Sequence, residues 1–133
     1  IVFDPEKSLS FEGDSGPYLQ YAHTRALSIL SKAEKENILP STVGAVPETI
    51  SKVERLLYRF PEVVERATLE YEPHYLTTYL TELAGAFNAW YASEQIVNPT
   101  DPTSPYKVAC TNAFQVTMAN GLRLLGIRIP QEM

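Results

Sequence analysis

Hydrophobic residues recur at intervals of three and four along most of the chain, which is the spacing of one face of an α-helix. The clearest stripe predicts a first helix from Pro17 to about Glu36. Its apolar members are Leu19, Ala22, Ala26, Ile29, Leu30 and Ala33. Asp14 and Ser15 can cap a helix, and proline is favoured in the first turn, so the residues before this stripe predict a helix-entry turn.

Prolines mark the predicted starts of the four later helices, at Pro47, Pro61, Pro73 and Pro105. The fourth of the five predicted helices is the longest and extends towards Gln95. The side chains expected to face the core are Ile50, Val53, Leu57 and Phe60 in the second helix, Val64, Ala67 and Tyr71 in the third, Leu76, Leu80, Leu83, Phe87 and either Trp90 or Tyr91 in the fourth, and Val108, Phe114, Met118, Leu122 and Leu125 in the fifth. Gly126 is expected just beyond the last helix, where glycine ends helices well.

The whole pattern predicts an all-α fold, a single-domain bundle of about five helices over residues 1–133. Only Ile1–Phe3 and Leu9–Phe11 are candidates for short extended pieces. A length of 133 residues with 44% hydrophobic residues suits one globular domain. Because the first residue is Ile1 and not methionine, we expect a piece excised from a longer protein.

Charge and cysteine content exclude several classes of function. Sixteen acidic and 11 basic residues give a net charge of −5, which does not suit a general basic nucleic-acid binder. Cys110 is the only cysteine, so there is no intrachain disulfide or cysteine-based metal site, and we expect a buried helical thiol. No apolar run approaches the roughly 20 residues that span a membrane.

Possible catalytic residues are few. The run GDSGP at residues 13–17 is similar to the serine motif of trypsin-like proteases, but Ser15 precedes both histidines and Pro17 lacks an N–H. We therefore favour a helix-entry turn and keep a small hydrolase using Ser15 as a distant alternative. His23 and His74 are not in a metal-spaced cluster, and capping or surface polar contacts are expected for both.

Aromatic side chains are a stronger candidate for binding. Phe87 is expected in the core, whereas Trp90 and Tyr91 are consecutive and point about 100° apart on a helix. One of them can therefore face a groove. A flat ring beside the amide of Asn88 can stack on an unpaired base and hydrogen-bond its edge.

Three colinear segments resemble one family. They are GDSGPYLQYAHTR at residues 13–25, LAGAFNAWY at 83–91 and GLRLLGIRIPQEM at 121–133. Together they resemble the C-terminal anticodon-binding domain, of the DALR type, of arginyl-tRNA synthetases. The first segment is the most specific, and the resemblance covers essentially the whole chain.

The resemblance implies a helical domain that docks on the anticodon stem and loop of arginine-specific tRNA. The parent enzyme would attach arginine to tRNA in the cytoplasm, with ATP and magnesium in a catalytic domain that is this domain's partner in cis. The nucleotide motif His-x-Gly-His and a Lys-Met-Ser-Lys-like loop are absent from these 133 residues. No catalytic residue, cofactor or metal is therefore expected in this stretch, and it should be inactive alone.

The resemblance also suggests roles for individual residues. Tyr91 matches the family's long-helix tyrosine and is expected to stack on a base, with Asn88 at a base edge. Met133 matches the family's terminal methionine, which packs near the anticodon loop. Lys107, Arg123 and Arg128 are expected to contact phosphates, and Trp90 is expected in the core or at the groove rim. An interface with the catalytic domain or with the inner face of the tRNA is expected for five further residues: Tyr18, Gln20, Tyr21, His23 and Arg25. The alternative is a helical protein–protein interaction module that binds no nucleic acid.

Overall fold

A computed structural model describes the backbone of residues 5–132 and the side chains of residues 16–132. Over this part of the chain the fold is all-helical and has no strand, as predicted. The helices are α1 (Pro5–Lys35), α2 (Lys52–Tyr58), α3 (Phe60–Leu69), α4 (His74–Ser93) and α5 (Ser104–Leu124). Helix α1 packs mainly against α5 and also against α4, while α3 packs on α4 and α2 contacts both α4 and α5. None of the helices described is long and apolar enough to cross a membrane.

The core lies where α1, α4 and α5 meet. The rings of Phe87 and Phe114 stack there, with centroids 4.0 Å apart and planes 7° from parallel. The large side chains fully buried around them are Leu19, Leu80, Leu83, Met118 and Leu122. Each was predicted from helical spacing, and each buried side chain of this kind stabilises the fold by about 1.5–3 kcal/mol relative to exposure.

Helix α1 begins earlier than predicted, at Pro5, so that Pro17 lies inside it. The predicted entry turn at residues 13–17 and the extended piece at Leu9–Phe11 are therefore wrong, and Ile1–Phe3 lies outside the described residues. An interior proline has no N–H to donate, and its ring crowds the carbonyl four residues earlier, although its fixed φ is close to that of a helix. Helix α1 continues past Pro17 in spite of both effects.

Helix α2 begins later than predicted, at Lys52 and not at Pro47. A capping box sets this start: the Ser51 hydroxyl accepts from the Glu54 N–H at 3.2 Å, and Glu54 Oε1 accepts from the Ser51 N–H at 3.2 Å. Ile50 consequently lies outside the helix and is 63% exposed, not inward-facing. The starts predicted from Pro61, Pro73 and Pro105 are confirmed to within a residue.

Three helices end in the same way. After α1, α3 and α5 the chain passes through a residue with positive φ: Asn37 (58°), Tyr71 (54°) and Gly126 (74°). In each case the next N–H bonds back five residues, for example from Ile127 to the carbonyl of Leu122 at 2.8 Å. The prediction for Gly126 is confirmed. Tyr71 was predicted to face the core, but this backbone conformation turns its side chain out, and it is 91% exposed.

Candidate nucleic-acid interface

Four polar and aromatic side chains from α1 and α4 are joined on one face of the bundle. The Arg25 guanidinium donates from Nη1 to Asn88 Oδ1 at 2.8 Å, and Asn88 donates from Nδ2 to Tyr18 Oη at 3.3 Å. The same guanidinium lies over the ring of Tyr91, with Cζ 4.8 Å from the centroid, within range of a cation–π interaction. We call Tyr18, Arg25, Asn88 and Tyr91 the α1–α4 cluster.

Helical spacing places these side chains together. Tyr18 and Arg25 are seven residues apart, two turns of α1, whereas Asn88 and Tyr91 are three apart on α4. Tyr18 is 38% exposed and Tyr91 is 44% exposed, so the face is open to solvent. Tyr18 and Arg25, which were expected at the catalytic-domain interface or the inner face of the tRNA, thus share one surface with Asn88 and Tyr91, which were expected to contact bases.

A cleft of about 650 Å³ lies beside Tyr91. Helix α4 ends at Ser93, Glu94 is extended, and the next residues include the buried side chains of Ile96 and Val97, which line the cleft. The residues lining this Tyr91 cleft are Arg25, Ser28, Ile29, Lys32, Tyr91, Ala92, Ser93, Glu94, Gln95, Ile96 and Val97. Lys32 and Gln95 were missed from the sequence, although Lys32 lies two turns after Arg25, on the same face of α1.

Gln20 and His23 do not join the cluster. Gln20 donates from Nε2 to the carbonyl of Arg128 at 2.8 Å and so holds the segment after α5 against α1. His23 is 1% exposed and accepts at Nε2 from the Gln115 amide at 3.1 Å. Burial, with a smaller contribution from Arg123, lowers the pKa of His23. The surface contact expected for His23 is wrong, because His23 lies on the same face of α1 as the apolar stripe and packs into the core.

Lys107 is buried and already paired. Its Nζ donates to Glu94 Oε2 and to Asp101 Oδ2, each at 3.0 Å. Hydrogen bonds from Thr103 and Lys107 lower the pKa of Asp101 to about 2. Burial acts to lower the pKa of Lys107, but its bonds to the two carboxylates outweigh that effect and raise it. Since Lys107 has only 10% of its side chain exposed, its position does not favour the expected phosphate contact.

The unpaired positive charge of the described residues lies elsewhere. Six described basic side chains make no ion pair with a described side chain, and all six are exposed: Arg25, Lys32, Lys35, Arg55, Arg123 and Arg128. The basic side chains that do form ion pairs are Lys52, Arg59, Arg66 and Lys107. The phosphate contact of Arg123 stays a prediction, and the side chain is accessible for it.

The other candidate residues are placed as follows. Trp90 is half-buried, packs on Phe87 with centroids 6.0 Å apart, and lines a different cleft from Tyr91. Cys110 is buried, and burial raises the pKa of its thiol to about 11. Met133 and the side chain of Ser15 lie outside the described residues. Among the side chains of residues 16–132 no group of three His, Cys, Asp or Glu residues could hold a metal ion.

Comparison with known proteins places the chain in a family. Residues 19–133 match the model of the DALR anticodon binding domain. The arginine–tRNA ligase of Ligilactobacillus salivarius is 38% identical over 131 residues, which are 98% of this chain and 23% of that protein. The enzyme of that name from Thermococcus kodakarensis is 36% identical over 141 residues, covering all of this chain and 22% of that protein.

A solved structure agrees with the sequence comparison. The arginyl-tRNA synthetase of Thermus thermophilus superposes with a TM-score of 0.72 at 36% identity, over 98% of this chain and 23% of that one. The chain therefore spans about a quarter of the length of the curated relatives it matches. On these matches, this chain belongs to the DALR anticodon-binding domain family, in the form found in arginyl-tRNA synthetases.

Proposed function

We propose that this chain binds the anticodon stem-loop of arginine-accepting tRNA for a cytoplasmic synthetase. In this proposal a catalytic domain in cis attaches arginine with ATP and magnesium, and this domain supplies only recognition. The observation that carries the proposal is the α1–α4 cluster, which exposes the ring of Tyr91 beside an amide and a guanidinium.

The cluster offers the groups that an unpaired nucleotide requires. An exposed tyrosine ring can stack on any base. The Arg25 guanidinium lies over one face of the Tyr91 ring, so a base would stack on the other face, and the guanidinium can contact a phosphate. Asn88 donates one amide hydrogen to Tyr18 and accepts from Arg25, so one amide hydrogen remains for an acceptor on a base edge. Met133 is proposed to pack near the same loop, as the family resemblance implies.

Replacing the Tyr91 ring tests this function. In the complete polypeptide that carries this chain, Tyr91→Ala should weaken binding of arginine-accepting tRNA by about 1–3 kcal/mol, the usual value of one base stacked on an aromatic ring. The same loss should appear in kcat/KM for aminoacylation. Tyr91→Phe keeps the ring and should retain most of the binding.

Tyr58 provides the control, because it is 89% exposed on α2 and lies outside the cluster. Tyr58→Ala should leave tRNA binding unchanged, and thermal melts should show that both alanine variants are folded. Binding by Tyr91→Ala that equals the wild type would reject the stacking role. A complete polypeptide that binds no tRNA would instead favour the protein–protein interaction module.

A further inference from the structure

We propose that Lys32 binds the phosphate of an unpaired nucleotide seated in the Tyr91 cleft, next to the base stacked on Tyr91. The proposal rests on the function proposed above and adds a second nucleotide subsite to it. It also transfers the expected phosphate contact from Lys107, which is buried, to a lysine that is exposed.

The cleft has the size and the walls of a nucleotide site. Its volume of about 650 Å³ falls within the range of roughly 300–1,000 Å³ usual for small-molecule pockets. One wall is α1, with Arg25 and Lys32, and the other is the ring of Tyr91 with the segment 92–97. Gln95 also lies on that second wall, and its Nε2 donates to the carbonyl of Val97 at 3.4 Å. A ring, a cation and an amide are the groups that bind single-stranded nucleic acid.

Lys32 is the cation of the cleft whose side chain is not held by another described side chain. Arg25, the other cation there, also makes no ion pair with a described side chain, but Asn88 and the Tyr91 ring hold its guanidinium in place. Lys32 follows Arg25 by two helical turns, about 10.5 Å along the same face of α1, and makes no ion pair with a described side chain. Glu94 also lines the cleft, but its carboxylate is bound by Lys107 at 3.0 Å, which offsets its repulsion of a phosphate.

A structural role for Lys32 can be separated from phosphate binding. Lys32 lies in the last turn of α1, where a cation stabilises the negative end of the helix dipole. Lys35 shares this last turn and is also exposed, but it does not line the cleft. The two lysines therefore form a matched pair that differs in access to the cleft.

The test measures tRNA affinity against salt concentration for the complete polypeptide and its variants Lys32→Gln, Lys35→Gln, Lys32→Arg and Tyr91→Ala. Loss of one phosphate contact to a single strand should flatten the slope of log K against log[salt] by about 0.7. We expect this change and a several-fold loss of affinity at low salt for Lys32→Gln. Lys35→Gln should keep the wild-type slope, and Lys32→Arg should keep it because the charge remains.

Two results would overturn the assignment of Lys32. One is a wild-type slope for Lys32→Gln while Tyr91→Ala still weakens binding, and the other is equal flattening by Lys32→Gln and Lys35→Gln. These results leave the anticodon-binding function intact. Unchanged tRNA affinity for Tyr91→Ala would instead reject the function and the subsite together.

Discussion

At the residue scale, His23 is a titratable group held in an apolar core. It is 1% exposed, its Nε2 accepts from Gln115, and its Nδ1 has no hydrogen-bond partner among the described groups. A protonated ring would carry hydrogens on both nitrogens, with the Arg123 charge nearby. Burial therefore lowers the pKa of His23 in the folded protein, and the unfolded chain takes up this proton more readily.

This difference predicts acid sensitivity. The stabilisation from a neutral His23 is present above the ordinary histidine pKa of about 6.5 and is lost as the pH falls through the lowered pKa of the folded state. Urea unfolding midpoints of the wild type should fall between pH 7.5 and pH 5. His23→Gln, which cannot titrate, should reduce that fall. The control is His74→Gln, on the surface beside Glu72, which should retain the fall in the urea midpoint. An equal pH dependence in the wild type and in His23→Gln would contradict the prediction.

Tyr71 is the second informative residue, because it holds a backbone conformation that suits glycine. Its φ is 54°, and its side chain is 91% exposed and so contributes little packing. A left-handed conformation costs a residue with a Cβ about 1–2 kcal/mol, and glycine loses part of that gain through unfolded-state entropy. Tyr71→Gly should therefore raise the free energy of unfolding by several tenths of a kcal/mol in urea titrations. Tyr71→Ala keeps a Cβ and should give no increase, so equal effects of the two changes would contradict this account.

At the element scale, the helices could be predicted from hydrophobic spacing, but their ends could be predicted only in part. Proline marked a start correctly at Pro61, Pro73 and Pro105, where it lies in or just before the first turn. It failed at Pro47, because the Ser51 capping box four residues later fixes the start of α2. It failed at Pro17 because α1 already begins at Pro5 and continues through this residue. The fixed φ of proline suits a helix, although the missing N–H and the ring's contact with the preceding turn disfavour an interior position.

The packing of α4 on α5 depends on a close approach that the sequence did not reveal. A Cβ added at Gly121 would lie 2.6 Å from Leu80 Cδ1, and Leu80 is fully buried and cannot turn out to solvent. Gly121→Ala should destabilise the bundle by about 1–3 kcal/mol, as overpacked cores do. Chemical unfolding measures this loss.

Gly85 is the matched control within α4, since an added Cβ there meets only Tyr18 Oη at an ordinary 3.8 Å. Gly85→Ala should be stabilising by up to about 1 kcal/mol through helix propensity. In a Leu80→Ala background the cost of Gly121→Ala should shrink, because the two sites are in contact. An undiminished cost there would mean that the clash with Leu80 is not the cause.

At the scale of the whole molecule, the sequence could suggest the binding residues but not how they meet. Arg25 bonds Asn88 across 63 residues of sequence, and Asn88 bonds Tyr18 across 70. Helical periodicity fixes which residues share a face of one helix, yet it does not say which helix that face will meet. For the same reason Lys107 looked like an accessible cation, although the fold brings Glu94 and Asp101 to it and buries all but 10% of its side chain.

The bond from Arg25 to Asn88 has a consequence for how this face meets its ligand. Arginine and asparagine side chains on a surface usually sample several rotamers, and fixing each long side chain on association costs about 0.5–1.5 kcal/mol. Here Tyr18, Arg25, Asn88 and Tyr91 restrain one another before any ligand arrives. Much of that ordering is completed during folding, so an incoming nucleotide meets a surface that needs little rearrangement. The same restraint limits how far these side chains can move to accommodate a base that fits poorly.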